Sequence, residues 1–226
     1  MNKGDYIEKL ENMLEDGISK GTYKRTDDTT LQDLKRYQDF LYRNFYNYEH
    51  YKKMYPQSNQ PAKLYGTAKT HKFNDTNDIT INQLKFRPII DQTGTYTYNA
   101  AQVISQYLKP LCKNEFTIED TQSFSKTIRD LPPLEDEEED VSYDVESLFT
   151  NIPIEETVNY ILDQIYVRKV IAPICTKLIF KRLLMKLATE VIFTFNNTFY
   201  RQTNGCTMGG PLSVTLSEIY MIKMEN

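Results

Sequence analysis

Apolar residues recur at helical spacing near the start of the chain and predict two amphipathic helices. The first spans residues 5–15 and ends at Gly17, because glycine favours a helix stop. The second begins after Thr29-Thr30 and ends before Pro56. The spacing of both apolar stripes is explained by packing against a core. Their members are Ile7, Leu10, Met13 and Leu14, followed by Leu31, Leu34, Tyr37, Phe40, Leu41 and Phe45.

The middle of the chain alternates between loop and regular segments. Residues 56–80 are rich in Pro, Gly, Asn, Asp and Thr, and they predict a loop punctuated by short segments. The predicted elements that follow are a strand over 86–90, helices over 98–111 and 124–131, and a strand over 141–144.

The last third of the chain predicts helices around a hairpin. Pro153 suits the first turn of one helix. Further elements are a helix over 174–190, a hairpin with strands over 191–195 and 198–202, and a last helix from about Pro211. There is no internal repeat and no linker between independent domains. The pattern therefore predicts a helix-rich α+β fold with short antiparallel strands.

Composition narrows the class of protein. The 226 residues are 40% hydrophobic and 26% charged, which is typical of a globular chain with one core or two small ones. No apolar run approaches the roughly 18 residues that span a bilayer, so no membrane partner is expected. Cys112, Cys175 and Cys206 are odd in number and widely spaced, which disfavours a disulfide framework or a zinc site. Together with a polar N-terminus, they predict an intracellular protein of the nucleus or cytoplasm.

The charge is unevenly distributed. The net charge is -4, but residues 135–140 contribute -6, so the rest sums to +2 (-4 + 6). Residues 61–87 carry five bases and two aspartates, and phosphate binding responds to such local charge. The segment is either a phosphate-binding surface or a solvated basic loop. The acidic run predicts an exposed connector.

Asp144 is the first candidate for metal chemistry. It follows the predicted strand over 141–144, and a carboxylate at a strand end can reach a Mg²⁺ that also holds substrate phosphates. Phosphoryl-transfer enzymes commonly use two such ions. An isolated aspartate is nevertheless common in turns.

The surrounding residues give Asp144 a context. Residues 141–153, VSYDVESLFTNIP, resemble motif A of reverse transcriptases, and most of all those of Penelope-like retroelements, which are relatives of telomerase. Residues 65–72, YGTAKTHK, are similar to the fingers block YGLPKIHK of that family, and 84–90, LKFRPII, to its RPI strand. Residues 199–213, FYRQTNGCTMGGPLS, resemble its motif B. The blocks occur in the family's order, and residues near the N-terminus resemble its upstream part.

The resemblance implies the fingers and an incomplete palm of a right-hand polymerase. Residues 1–60 would form the helical N-terminal part of the fingers, 61–138 the fingers with a basic nucleotide-binding block, and 139–226 the palm with motifs A and B. Motif C, of the form YxDD, is expected beyond the motif B helix and is not in the sequence. Neither a thumb nor a GIY-YIG endonuclease module is present. We therefore expect this chain to lack polymerisation by itself.

The resemblance also implies residue roles. Asp144 would bind Mg²⁺, with the carbonyl of Val145 as a second contact. Lys69 and Arg87 would hold the triphosphate of a deoxynucleotide. Phe149 would be the gate that excludes a 2′-hydroxyl, although a core aromatic is the alternative.

The resemblance also implies roles for the motif B residues and for His71. Met208, Gly209, Gly210 and Ser213 would lie beneath the RNA template and DNA primer. His71 would be a structural or backbone-contacting member of the fingers block. Three positions depart from the family pattern, and they are Ala68 where proline is usual, Gly210 where serine is usual and Val214 where proline is usual.

Two hypotheses remain open from the sequence. The chain is a fragment of an RNA-directed DNA polymerase, or it is a decayed or repurposed retroelement product that only binds nucleic acid. An RNA-templated RNA polymerase is disfavoured by Phe149 and by the family resemblance. The sequence does not predict the oligomeric state.

Overall fold

The structure is a computed structural model that describes residues 2–56, 58–69, 84–118, 120–132, 139 and 141–225. The prediction for His71 lies outside these ranges, as does that for the acidic run apart from Glu139.

The described residues form one mixed sheet and the helices around it, and more residues are helical than extended. The fold is α+β, as predicted. The helices are α1 (Lys3–Ser19), α2 (Thr30–Phe45), α3 (Tyr51–Met54), α4 (Tyr98–Leu108), α5 (Thr121–Asp130), α6 (Leu148–Asn151), α7 (Ile154–Tyr166), α8 (Lys177–Thr189) and α9 (Ser213–Glu225). The strands are β1 (Tyr23–Arg25), β2 (Ala62–Ala68), β3 (Phe86–Asp91), β4 (Ile192–Phe195) and β5 (Thr198–Gln202).

The five strands form one sheet in the order β1-β5-β4-β2-β3. All neighbours are antiparallel except β2 and β4, which form a short parallel pair. The prediction of short antiparallel strands is therefore right for every described pair but this one. The sheet takes β1 from residues 1–60, β2 and β3 from 61–138, and β4 and β5 from 139–226, so it joins the three predicted divisions.

Two apolar clusters form the core. The smaller one packs α1 against the sheet and includes Leu10, Leu14, Ile90 and Phe193, all of them buried. The larger one joins α2, α4, α7, α8 and α9. The predicted stripe of α2 is confirmed at Tyr37, Leu41 and Phe45, whereas Leu31 is 55% exposed in the first turn of the helix.

Gly17 does not stop the first helix. It lies inside α1, where a Cβ atom would come within 2.4 Å of the ring of Tyr23, so its small size permits close packing. The helix ends before Gly21, whose φ of +72° is a left-handed conformation. Thr22 N–H then donates to the carbonyl of Gly17 at 2.8 Å, as in a common helix C-terminal motif.

Two strand predictions were wrong. Residues 62–68, predicted as loop, form β2 because β3 pairs with them along their whole length. Residues 141–144, predicted as a strand, have no strand conformation, and Tyr143 is 91% exposed. A strand is stabilised by the backbone hydrogen bonds of a neighbour, and no described strand pairs with this segment.

Candidate functional site

A cleft of about 880 Å³ lies between α1, the ends of β2 and β3, residues 143–151 and the loop after β5. It brings together residues from all four sequence blocks. The predicted site residues that line it are Lys69, Arg87, Asp144, Val145, Phe149 and Met208.

The basic side chains reach the cleft from a strand pair. Thr67 of β2 is opposite Arg87 of β3, and Lys69 N–H donates to the carbonyl of Lys85 at 2.8 Å. Side chains alternate along a strand, so this register places residues 67, 69, 85 and 87 on one face. Lys69 and Arg87 are half-buried, and neither forms an ion pair within the described ranges.

Asp144 reaches the cleft from an exposed segment. Residues 141–147 are exposed, and Ser147 then adopts a φ of +54° that turns the chain into α6. The hydroxyl of Thr150 donates to the carbonyl of Ser147 at 3.0 Å and holds this turn. Asp144 has no cationic partner among the residues that the structure describes. Its carboxylate is accessible from the cleft.

The segment that follows Asp144 is fixed to the loop after β5. Cys206 N–H donates to the carbonyl of Phe149 at 2.8 Å. Gly205 has a φ of +65°, and a Cβ atom there would lie 2.5 Å from the carbonyl oxygens of Phe149 and Thr150. Gly205 was not among the predicted site residues. The structure adds a close backbone contact that requires the absence of a side chain.

Phe149 lies between the larger core cluster and the cleft, and its role as a sugar gate stays a prediction. It is half-buried and packs against the larger core cluster, and it also lines the cleft. Burial raises the pKa of the nearby Cys206 thiol to about 12, so this cysteine stays protonated and is not a nucleophile.

Of the remaining predicted motif B residues, Gly210 and Ser213 are buried and Gly209 is exposed, and none of the three lines the cleft. Met208 accepts a hydrogen bond from Ile90 N–H at 2.7 Å through its carbonyl, which ties the loop to β3. A Cβ atom on Gly209 would lie 2.8 Å from the carbonyl oxygen of Ile90, and one on Gly210 would crowd several polar side chains. The contact of Gly209, Gly210 and Ser213 with template and primer stays a prediction.

The cleft also contains residues that sequence reasoning missed. Lys20 and Asp16 form an exposed ion pair at its rim, with 2.6 Å between Nζ and Oδ2. Gln202 is 2% exposed and donates to the carbonyl of Asn204 at 2.9 Å. Its Oε1 has no hydrogen-bond partner within the described residues. The resemblance assigned no role to these positions: Lys20 and Asp16 reach the cleft through the packing of α1 against the sheet, and Gln202 reaches it from the end of β5.

The donor atoms of the cleft fit a single magnesium contact. Asp144 offers a free carboxylate and Val145 a carbonyl, and Mg²⁺ is commonly held by one or two carboxylates together with substrate phosphates and waters. No group of three or more His, Cys, Asp or Glu side chains converges within the described part of the chain. The described residues alone therefore do not supply the carboxylates of a two-ion centre.

Comparison of the chain with protein-family models gave no match, and comparison with curated proteins gave none. Among the described helices, none is both long and apolar enough to cross a membrane.

Proposed function

We propose that the cleft binds the triphosphate of a deoxynucleotide, as the fingers and part of the palm of an RNA-directed DNA polymerase of the Penelope-like type. The observation that supports this function is that the predicted residues lie together in one cleft. Lys69, Arg87, Asp144, Phe149 and Met208 come from four blocks that are far apart in the sequence, and they line one cleft. The resemblance assigned these blocks complementary roles at a nucleotide.

Each residue contributes a separate interaction. Lys69 supplies a point charge and Arg87 a planar fork for the triphosphate oxygens. Asp144 and the Val145 carbonyl would hold Mg²⁺, which when bound neutralises charge on the phosphates. Phe149 presents an aromatic surface where the sugar would lie, and its backbone is fixed by Cys206.

Nucleotide binding to the purified chain tests the proposal directly. We expect Lys69→Ala and Arg87→Ala each to weaken binding of Mg²⁺-deoxynucleoside triphosphate by about tenfold or more, since each removes a charge-assisted hydrogen bond of about 1.5–3 kcal/mol. Lys63→Ala is the matched control, because Lys63 is exposed on the same strand and does not line the cleft. Equal losses in all three variants would contradict the proposal.

The sugar preference provides a second readout. Phe149→Ala should raise the affinity for a ribonucleotide relative to the matching deoxynucleotide, because the aromatic ring no longer excludes the 2′-hydroxyl. A ratio that stays unchanged would remove Phe149 from the site. Polymerisation needs carboxylates beyond those that converge here, so we expect no incorporation by this chain on a primed RNA template. Incorporation would overturn that expectation.

A second candidate function is nucleic-acid binding without nucleotide selection, as in a repurposed retroelement product. The observation that favours it is the inward packing of Gly210 and Ser213, together with the departures at Ala68 and Val214. It predicts salt-dependent binding of an RNA template annealed to a DNA primer, with no affinity for free deoxynucleotides. Binding of deoxynucleotides that depends on Lys69 and Arg87 would exclude it.

A further inference from the structure

Four tyrosines form a continuous ladder on the surface at the end of α2 and along α3. The ring centroids of Tyr42 and Tyr46 are 5.2 Å apart, those of Tyr46 and Tyr51 5.8 Å, and those of Tyr51 and Tyr55 5.9 Å. Tyr42 and Tyr46 are 58% and 62% exposed. Exposed contiguous aromatic surface of this kind usually marks a binding site.

Tyr51 packs against the larger core cluster, whereas Tyr42, Tyr46 and Tyr55 are exposed. The opposite face of α2 buries Tyr37, Leu41 and Phe45, so the helix already has a packed side. The pKa of Tyr51 is raised by partial burial and by the nearby phenols of Tyr55, Tyr42 and Tyr46, which agrees with the close spacing of the four rings. The outer tyrosine faces are left to solvent.

The charge around the ladder is positive. Between residues 42 and 56, Arg43, Lys52 and Lys53 stand against one carboxylate, Glu49. Arg43 is paired with Asp39, whereas Lys52 and Lys53 are exposed and form no ion pair with a described residue. Aromatic faces next to unpaired bases are the combination that binds single-stranded nucleic acid, because bases stack and phosphates are neutralised.

The ladder is also connected to the motif B loop. A groove of about 460 Å³ is lined by Lys53 of α3, by Asn99, Gln102 and Gln106 of α4, and by Pro211. The side-chain amide of Asn99 donates to the carbonyl of Tyr55 and joins the two helices. Pro211 directly follows Gly210, so the groove reaches the loop whose Met208 lines the cleft.

We propose that the ladder of Tyr42, Tyr46, Tyr51 and Tyr55 is a stacking surface for single-stranded nucleic acid. The bases lie against the tyrosine rings, and Lys52 and Lys53 contact the phosphates. The strand leaves the ladder along the groove towards Pro211. The path of the strand towards Pro211 rests on the proposed function. The stacking surface itself does not, because none of its tyrosines lines the cleft.

Tryptophan fluorescence tests the stacking, because the sequence contains no tryptophan. Tyr46→Trp introduces a single tryptophan into the ladder, and Phe116→Trp places one at another exposed aromatic position as the control. Titration with oligothymidylate and with oligouridylate of about 15 nucleotides should quench the Tyr46→Trp emission saturably and leave the control unchanged. The apparent affinity should fall as salt is raised.

Affinity measurements with alanine and phenylalanine variants complete the test. We expect Tyr42→Ala with Tyr46→Ala to weaken oligonucleotide binding by about tenfold for each tyrosine, within the range known for base stacking. The corresponding phenylalanine variants should bind like the parent, because the ring is retained. Phe116→Ala should change nothing.

Two results would overturn the proposal. One is the absence of quenching at Tyr46→Trp by either oligonucleotide. The other is quenching by a proline-rich peptide and not by the oligonucleotides, which would assign the ladder to a protein partner. Failure here is separable from failure of the nucleotide site, because Lys69→Ala should reduce deoxynucleotide binding and leave the quenching intact.

Discussion

Replacing Gly205 with alanine should damage both the fold and the cleft. The residue has a φ of +65°, and a new Cβ atom would lie 2.5 Å from the carbonyl oxygens of Phe149 and Thr150. The left-handed conformation costs a residue with a side chain about 1–2 kcal/mol. Relief of the overlap requires the two backbone segments to separate, which costs about 1–3 kcal/mol in a well-packed site.

The two costs together predict a loss of about 2–5 kcal/mol in the free energy of unfolding. Separation of the segments would also lengthen the hydrogen bond from Cys206 N–H to the Phe149 carbonyl, which is 2.8 Å in the structure. Phe149 would then shift, so Gly205→Ala should weaken deoxynucleotide binding as well. Urea denaturation followed by circular dichroism measures the first effect, and the m-value shows whether the unfolded state has changed.

Gly94 provides a matched control. Its φ is +80°, so alanine there meets the same conformational cost, but the nearest atoms to a Cβ would be 3.7 Å and 3.9 Å away. Gly94→Ala should therefore cost only about 1–2 kcal/mol. Equal destabilisation by the two variants would refute the role of the close backbone contact. A destabilised Gly205→Ala chain that binds deoxynucleotides normally would refute the link to Phe149.

Three further predictions follow from the same structure. Gly210→Ser introduces the residue that is usual in motif B of reverse transcriptases, but it should destabilise this chain by about 1–3 kcal/mol in urea denaturation. The reason is that a Cβ atom at position 210 would lie 2.6 Å from Nε2 of the buried Gln92. An unchanged urea midpoint would contradict this prediction. Burial raises the pKa of Tyr23 from 10.0 to about 12, so the unfolded chain ionises first and stability should fall as pH rises from 10 to about 12. Tyr23→Phe should reduce this loss of stability between pH 10 and about 12. If the urea midpoint depends on pH in the same way in Tyr23→Phe and in the parent, Tyr23 does not contribute to the loss. Under the second candidate function, in which Lys69 and Arg87 contact nucleic-acid phosphates, Lys69→Ala and Arg87→Ala should each reduce the slope of log Kd against log salt for a primer-template by about 1. A slope that also changes in Lys63→Ala would show a nonspecific effect.

Elements with strong local signals could be predicted from the sequence. The hairpin of β4 and β5 is one example, because Asn196 and Asn197 adopt φ values of +44° and +62° and asparagine tolerates this conformation. The apolar stripe of α7 is another, and its Val158, Ile161, Leu162 and Ile165 are buried. In both cases the residues that determine the element lie inside it.

Elements that depend on distant partners could not be predicted. β1 has three residues and exists because β5, far along the chain, pairs with it. β2 contains a glycine and follows a proline-rich stretch, yet its pairing with β3 overrides that composition. The same limit applies to the cleft, since Lys20 and Gln202 were not among the predicted site residues and reach it through tertiary packing. The sequence blocks identified candidate residues for the cleft, and tertiary packing determined which other residues lie beside them.

The structure supports the two halves of the candidate site unequally. Lys69 and Arg87 belong to a strand pair whose register is fixed from Lys63 to Ala68 by β3. Asp144 lies on an exposed segment that no described strand pairs with, and the nearest backbone anchor on its C-terminal side is the contact of Phe149 with Cys206. Groups on paired strands are held more precisely than groups on loops. We infer that the triphosphate is positioned by the basic strand pair, whereas the Asp144 carboxylate gains its geometry from the Gly205 contact. Gly205→Ala should therefore act on the carboxylate half of the site, although Gly205 itself has no predicted contact with the nucleotide.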